Sequence, residues 1–173
     1  MVFLGISLLS ACSEPKPREL ILHDFESESC LDEVHWKCHT LFSLSDLHAA
    51  HGKQSLKLDL FPSSYPGFAP ALKYHDWSNY KNLSFEVYNP SNEKLKLILR
   101  VDDKKQALEY TDRYNKSFKI MPGSNTLNIP LNTLNTSKTD RPLNLENIYR
   151  FLVFMSHPDK KYVLYLDHFR LLQ

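Results

Sequence analysis

Apolar and polar residues alternate with a period of two along several short segments of this 173-residue chain. In residues 95–102, leucine or valine at every odd position alternates with lysine, isoleucine, arginine and aspartate. Such alternation predicts β-strands with one face toward a core, because successive side chains point to opposite sides of a strand. The predicted strands are Glu19–Phe25, Ser55–Leu60, Phe68–Lys73, Leu83–Tyr88, Leu95–Asp102, Ser117–Met121, Thr126–Ile129, Tyr149–Met155 and Tyr162–Leu171.

Turn-forming residues separate these segments, most clearly at 89–92, 121–124 and 157–160. The last two predicted strands are apolar on both faces, which is typical of central strands that are covered on both sides. Leu143–Ile148, with Asn144 as its cap, predicts a single helical turn. We therefore expect an all-β fold, an antiparallel β-sandwich of about nine or ten short strands, formed as one domain by residues 19–173.

The beginning of the chain has the features of an export signal. Residues 2–9 are apolar but fall short of the ~20 residues that a membrane-spanning helix needs. The run ends in Leu9-Ser10-Ala11-Cys12, which resembles the bacterial lipoprotein signal, although no Lys or Arg precedes it. This resemblance implies a signal peptide over 1–11, lipidation at Cys12, a polar tether over 12–18 and attachment to the outer membrane. The alternative is an apolar segment that reaches a cysteine by chance.

Two further cysteines, Cys30 and Cys38, are an even pair, and in an oxidising compartment such a pair predicts a disulfide. Two alternatives stay open, namely free thiols and a metal site that also uses His35 and His39. The spacing of these four residues is not that of a known zinc site.

Composition and charge narrow the classes of function. The chain is 42% hydrophobic and 24% charged, with a net charge of +1, so nothing favours a partner bound through phosphate neutralisation, such as a nucleic acid. It contains four glycines and lacks Walker, dinucleotide-binding and Gly-x-Ser-x-Gly motifs. We expect the protein not to be an enzyme.

A series of short segments in a fixed order resembles the galactose-binding-like jelly rolls found among carbohydrate-binding modules. The segments are Asp24–Glu26, Gly52–Leu58, Trp77–Tyr80, Leu83–Asn89, Leu99–Asp103, Tyr110–Asn115, Pro122–Thr126, Ile129–Leu131, Arg141–Leu143 and Leu164–Leu171. The resemblance extends over residues 20–173 and implies a jelly-roll fold.

The resemblance also implies one structural Ca²⁺ where the first and last strands meet, with Asp24, Glu26 and Asp167 as its ligands. His168 stands where the family has another acidic residue or asparagine. The alternative is a buried Asp167 carboxylate that is held by hydrogen bonds or by Arg170.

A ligand groove is predicted on the sheet face opposite the Leu95/Leu97/Leu99 side. Its candidate residues, if the strands of residues 83–88 and 95–102 are neighbours, are Glu86, Tyr88, Arg100, Asp102, Asp112, Arg113 and Asn115. Carboxylates, amides and Arg could bind sugar hydroxyls there. The alternative is a solvated network of Arg–Asp pairs, such as Arg100 with Asp112 or Asp102 with Arg113.

Three aromatic residues, Trp77, Tyr80 and Tyr74, are candidates for a stacking platform at the rim of this groove, and packing in the core is their alternative. Together these observations predict a lipid-anchored envelope protein that binds a glycan without catalysis. The alternatives are a protein-interaction module of an envelope assembly and, with less support, a small glycoside hydrolase.

Overall fold

The computed structural model describes residues 18–105 and 109–173, the side chains of Trp36 and Lys37 excepted. The predicted signal peptide, Cys12 and the tether as far as residue 17 lie outside the described residues. Within the described ranges, no helix has the length and apolar character needed to cross a membrane.

The described residues form eleven strands and three short helical turns. The strands are β1 (Glu19–His23), β2 (Val34–Cys38), β3 (Thr40–Ser45), β4 (Ser55–Leu60), β5 (Gly67–Pro70), β6 (Asn82–Asn89), β7 (Leu95–Asp102), β8 (Tyr114–Ile120), β9 (Gly123–Pro130), β10 (Arg150–Phe154) and β11 (Tyr162–Leu172). The helical turns are α1 (Ser29–Asp32) and the 3₁₀ turns Leu131–Thr133 and Leu145–Asn147. The second 3₁₀ turn confirms the predicted helical turn, and the Asn144 side chain accepts a hydrogen bond from Glu146 N as its cap.

The strands form two antiparallel sheets. The six-stranded sheet has the order β3-β4-β11-β6-β9, with β1 also paired to β11, and the five-stranded sheet has the order β2-β5-β10-β7-β8. This arrangement confirms the predicted antiparallel β-sandwich, and β10 and β11 are interior strands as expected. β2 and β3 were not among the predicted strands.

An aromatic cluster between the sheets forms the centre of the core. The Phe169 ring stacks on Phe85 of its own sheet at 4.4 Å and on Phe151 of the five-stranded sheet at 5.5 Å, measured between ring centroids. All three rings have no solvent exposure. Because each aromatic ring buries about 150–250 Å², this contact is a major source of the attraction between the sheets.

The sharpest difference from the sequence expectation is that β6 and β7 are consecutive in the chain but lie in different sheets. β6 pairs with β9 and β11, whereas β7 pairs with β8 and β10. A turn around the buried Asn89 connects β6 in one sheet to β7 in the other. The Asn89 Nδ2 donates to Glu93 O at 2.8 Å, and its Oδ1 accepts from Ser91 N at 3.0 Å.

Replacing Asn89 with alanine is expected to lower the free energy of unfolding by about 2–3 kcal/mol, because buried backbone groups would lose their partners. Urea unfolding followed by circular dichroism measures the change. Asn92→Ala is the matched control, since Asn92 is exposed in the same turn and should change stability by less than about 0.5 kcal/mol. Equal effects of the two substitutions would contradict the role assigned to Asn89.

The predicted disulfide is wrong, because Cys30 and Cys38 are free thiols. Cys30 lies in α1 and Cys38 ends β2, so an extended strand of roughly 13 Å separates their surroundings. The Sγ atoms instead lie 3.9 Å from Ser27 Oγ and 3.8 Å from Ser63 Oγ, respectively.

Candidate functional site

The outward surface of the five-stranded sheet combines charged, apolar and aromatic side chains. We call the outward-facing residues of β7, β8 and β10 the five-strand face; they are Lys96, Ile98, Arg100, Asp102, Asn115, Ser117, Lys119, Arg150, Leu152 and Phe154. Pairing across these strands places Arg100 opposite both Leu152 and Asn115, and Asp102 opposite Arg150. Their inward neighbours, such as Leu99 and Phe151, belong to the core.

A buried carboxylate organises the charged part of this face. Asp102 has no solvent exposure and accepts hydrogen bonds from Arg100 Nε at 2.8 Å and Nη2 at 2.6 Å. Arg150 Nε donates to the same carboxylate at 2.7 Å. Burial, followed by the positive charge of Arg100, lowers the pKa of Arg113, so Arg113 also lies within the electrostatic reach of this cluster.

An apolar floor lies beside the arginines. Ala69, Leu152 and Phe154 are each less than 9% exposed, form a cluster separate from the main core, and are contacted by Ile98. Because this cluster is on the outer side of the sheet, it does not pack against the opposite sheet, and Leu152 and Phe154 form the floor of a depression in the outer surface.

Two exposed tyrosines border the floor. Tyr65 and Tyr110 are 46% and 65% exposed and line a depression of about 190 Å³ together with Arg100, Arg113, Asn115, Leu152 and Phe154. The Tyr65 ring meets Phe154 edge-on, with 5.8 Å between the centroids. Neither polar atom of the Asn115 amide has a hydrogen-bond partner among the described residues. A buried amide of this kind favours a water or ligand contact, since buried polar groups are rarely left without partners.

A second depression continues the surface toward the other end of β10. It measures about 470 Å³ and is lined by His35, Ala69, Pro70, Ala71, Leu72, Tyr149 and Arg150. Arg150, Leu152 and Phe154 alternate along one side of β10 and connect the two depressions over roughly 13 Å. The surface therefore has the length of an extended ligand rather than of one sugar ring.

The structure brings together four of the predicted ligand residues, namely Arg100, Asp102, Arg113 and Asn115. It adds Tyr65, Tyr110, Arg150, Leu152 and Phe154, which are not among the predicted ligand residues. Tyr65 and Tyr110 lie outside the strands, where the period of two gives no information about orientation. Arg150, Leu152 and Phe154 lie in a predicted strand. Because that strand is apolar on both faces, its sequence does not show which face points outward.

The prediction that Glu86 and Tyr88 share this face is wrong, because they point outward from β6 in the opposite sheet. Glu86 accepts two hydrogen bonds from Arg170, at 2.7 and 2.8 Å. The Tyr88 ring is covered by His48, with 3.5 Å between the centroids. Both side chains are thus engaged in contacts within the protein.

Trp77 and Tyr80 are not a stacking platform. They are 0% and 6% exposed and belong to the core cluster, so their packing alternative is the one observed. Trp77 Nε1 donates to Tyr74 O at 3.0 Å, which satisfies the indole inside the protein.

Asp24, Glu26 and Asp167 do not fit a calcium site. Within residues 18–105 and 109–173, no three His, Cys, Asp or Glu side chains are grouped so as to hold a metal ion. Asp167 accepts hydrogen bonds from Ala50 N at 2.7 Å, His51 N at 2.9 Å and His168 N at 2.7 Å. Glu26 likewise accepts from the backbone N–H groups of residues 53 and 54. Calcium requires oxygen ligands directed at the ion, whereas these oxygens are directed at N–H donors.

Asp167 therefore matches the alternative of a hydrogen-bonded carboxylate. Burial raises the pKa of Asp167 above its usual value, although the three N–H donors act in the opposite direction. Through these donors Asp167 attaches the 46–54 segment to the outer surface of the six-stranded sheet. The segment thus covers part of that surface, around Asp167 and Tyr88.

Asp112 belongs to a separate clamp at the end of β7. Arg141 donates to Asp103 at 2.7 and 3.0 Å and to Asp112 at 2.8 and 3.1 Å. Lys104 Nζ adds a hydrogen bond of 2.6 Å to Asp112. The predicted pairs Arg100–Asp112 and Asp102–Arg113 are replaced by Arg100–Asp102 and Arg141–Asp112.

Replacing Arg141 with glutamine is expected to reduce stability at pH 7 and to have a smaller effect in acid. Burial raises the pKa of Asp103, but Arg141 and the Asn144 N–H outweigh burial and hold the pKa below its usual value of 3.8. Lys104 and Arg141 likewise lower the pKa of Asp112. The resulting stabilisation is present above pH 3.8 and is lost as the pH falls through the lowered folded-state values.

Urea unfolding of both proteins at pH 7 and pH 3 measures this difference. A Lys138→Gln control removes one positive charge from an exposed residue, so it should behave as the parent protein does. A difference between parent and Arg141→Gln that is as large at pH 3 as at pH 7 would contradict the assigned role.

Solved structures of known proteins have folds similar to this one. No family model matches the chain, and no curated protein is significantly similar to it. A family 11 carbohydrate-binding module from Clostridium thermocellum, in complex with a β-1,3-1,4-mixed-linked tetrasaccharide, is similar at a TM-score of 0.66 and 17% identity, over 89% of this chain and 95% of the module. The CBM22-1 xylan-binding domain from Paenibacillus barcinonensis gives 0.59 and 16%, over 91% and 97% of the two chains.

A similar domain also occurs inside larger proteins. An exo-β-agarase matches at a TM-score of 0.68 and 17% identity over 87% of this chain, which corresponds to 24% of the agarase chain. The described part of this chain therefore has the galactose-binding-like jelly-roll fold of carbohydrate-binding modules, as its sequence landmarks predicted.

Proposed function

We propose that this protein binds a glycan on the five-strand face, between Tyr65 and Tyr110. The observation that carries the proposal is one depression that combines exposed tyrosine rings, an apolar floor and guanidinium and amide donors. Aromatic rings contact the C–H faces of pyranose rings, while Arg and Asn side chains bind hydroxyl groups. The similar modules named for a mixed-linked tetrasaccharide and for xylan support this class of ligand.

The ligand is an internal segment of a polysaccharide in this proposal. The two depressions follow β10 one after the other, and Arg150 and Leu152 face outward between them. A single sugar ring would occupy one depression, whereas an extended chain can contact both. Contacts that are spread along the polysaccharide each contribute a moderate binding free energy, and these contributions add up.

Binding without catalysis is part of the proposal. Glycoside hydrolysis generally uses two carboxyl groups that flank the bond to be broken. Among the described residues of the five-strand face, Asp102 is the one that carries a carboxylate, and it is buried and bonded to Arg100 and Arg150.

The location of the protein is proposed from the sequence pattern. Residues 1–11 would direct export, and lipidation at Cys12 would attach the folded domain to the outer membrane through a short tether. There the domain would hold envelope or environmental polysaccharide near the cell. Mass spectrometry of the protein from membranes tests the anchor; an unmodified Cys12 would contradict it.

Affinity electrophoresis tests glycan binding. The purified protein is run through native gels that contain mixed-linked β-glucan, xylan, agarose, polygalacturonate or a sulfated galactan, with serum albumin as the reference. The proposal predicts retardation by at least one polysaccharide and loss of retardation when free oligosaccharide is added. A folded protein that no polysaccharide retards, but that captures a stoichiometric protein partner from solubilised envelopes, would contradict glycan binding.

A further inference from the structure

The five-strand face is far more basic than the chain as a whole. The chain has 21 Lys and Arg against 20 Asp and Glu. On this face, including Arg113 immediately before β8, the charged residues are Lys96, Arg100, Arg113, Lys119, Arg150 and Asp102. Five positive charges thus face one carboxylate, which the fold has already buried.

The adjacent cluster of charges leaves this balance unchanged. The clamp at the end of β7 contains Asp103, Asp112, Lys104 and Arg141, which balance one another. Lys96 and Lys119 are direct neighbours across β7 and β8, an arrangement of like charges that costs stability. An excess of positive charge that persists at this cost favours a ligand that supplies negative charge.

Both depressions are lined by arginine. Arg100 and Arg113 line the first depression, where Arg100 is bound to Asp102, and Arg150 lines the second. Arg150 donates to Asp102 through Nε. Its side chain is 42% exposed, so its two terminal NH₂ groups can still donate hydrogen bonds to a ligand. A guanidinium group binds a carboxylate or sulfate through two parallel hydrogen bonds, which is stronger than its bond to a neutral hydroxyl.

We infer that the ligand is an acidic polysaccharide whose carboxylate or sulfate groups are bound by Arg113 and Arg150. The inference rests on the proposed glycan binding and specifies its ligand class. Such a polymer carries many anionic groups, so one chain that lies across both depressions would present a charged group to each arginine. Tyr65 and Tyr110 would contact the sugar rings between the charged groups.

Pairs of polymers that differ in charge alone test this inference. One pair is polygalacturonate and its fully methyl-esterified form, and the other is carrageenan oligosaccharide and its desulfated form. We expect binding to at least one charged member to be roughly tenfold or more tighter than to its neutral counterpart. The tighter binding should weaken between 50 and about 300 mM salt, because added ions screen the arginines.

Variants locate the effect. Arg113→Gln and Arg150→Gln should each weaken binding of the charged polymer about tenfold and weaken binding of the neutral one by a clearly smaller factor, because a hydrogen bond to a neutral hydroxyl is weaker than a paired bond to an anion. Lys53→Gln is the matched control, because it removes the same charge from an exposed residue of the segment that covers the opposite sheet. Thermal unfolding confirms that each variant is folded before its affinity is compared.

The outcomes separate this inference from the proposed function. Preference for the carboxylated or for the sulfated polymer supports it and identifies the anionic group. Equal binding of charged and neutral polymers, with no effect of Arg113→Gln, overturns it while glycan binding stands. Absence of binding to every glycan overturns both. Equally tight binding of single-stranded DNA would overturn the glycan class of the ligand and leave only an anion-binding surface.

Discussion

Replacing Asp102 with alanine is expected to lower the free energy of unfolding by about 3 kcal/mol, the lower end of the cost of breaking a buried ion pair. The carboxylate has no solvent exposure, and it satisfies Arg100, whose side chain is only 14% exposed. Its removal leaves two guanidinium groups close together without the charge that holds them. Arg150 is more exposed and can turn toward water, which limits the cost.

Urea unfolding monitored by tryptophan fluorescence measures this change, since Trp77 is fully buried in the folded protein. Asp46→Ala is the control, because Asp46 is exposed and its replacement should change stability by less than about 0.5 kcal/mol. If Asp102→Ala unfolds at the same urea concentration as the parent, Asp102 does not organise the arginines of the five-strand face.

Replacing Tyr65 or Tyr110 with alanine is expected to weaken glycan binding about tenfold or more for each residue. Both rings are exposed at the border of the same depression, so truncation removes ligand contacts and little internal packing. The double variant should show no measurable retardation in affinity electrophoresis. Its unfolding temperature should fall only slightly below that of the parent, through loss of the edge contacts of Tyr65 with Phe154 and His157.

Tyr88→Ala is the matched control for these substitutions. Tyr88 is a tyrosine on the outer surface of the other sheet, where His48 covers it. Its replacement should leave glycan affinity within about twofold of the parent. A large loss of affinity in Tyr88→Ala, with none in Tyr65→Ala, would place the ligand on the six-stranded sheet.

The hydrophobic pattern was sufficient to predict nine of the eleven strands, and it gives the orientation of those in which apolar and polar residues alternate. Leu95, Leu97 and Leu99 face the core and Arg100 faces outward, as the alternation of residues requires. Which strands are neighbours does not follow from alternation, because a short turn can join strands of one sheet or of two. For β6 and β7, the hydrogen bonds of the buried Asn89 side chain shape the turn that joins two different sheets. The sequence Asn-Pro-Ser-Asn predicts a polar turn but not these hydrogen bonds.

The candidate site was therefore only half predictable. Arg100, Asp102 and Asn115 lie in or beside strands whose outward face the pattern defines. Tyr65 and Tyr110 lie outside the strands, and their position over the sheet depends on how the chain returns to it. Trp77 shows the reverse error, since a tryptophan outside the predicted strands was expected at a rim and instead packs in the core.

The most direct test of glycan binding on the five-strand face is a nuclear magnetic resonance titration of the labelled protein with oligosaccharides of the polysaccharide that retards it. We predict that the largest shift changes occur in β7, β8 and β10 and at Tyr65 and Tyr110. The amides of β4, β6 and β11 should change little. Changes concentrated on those three strands, or spread evenly over the protein, would contradict the proposed site.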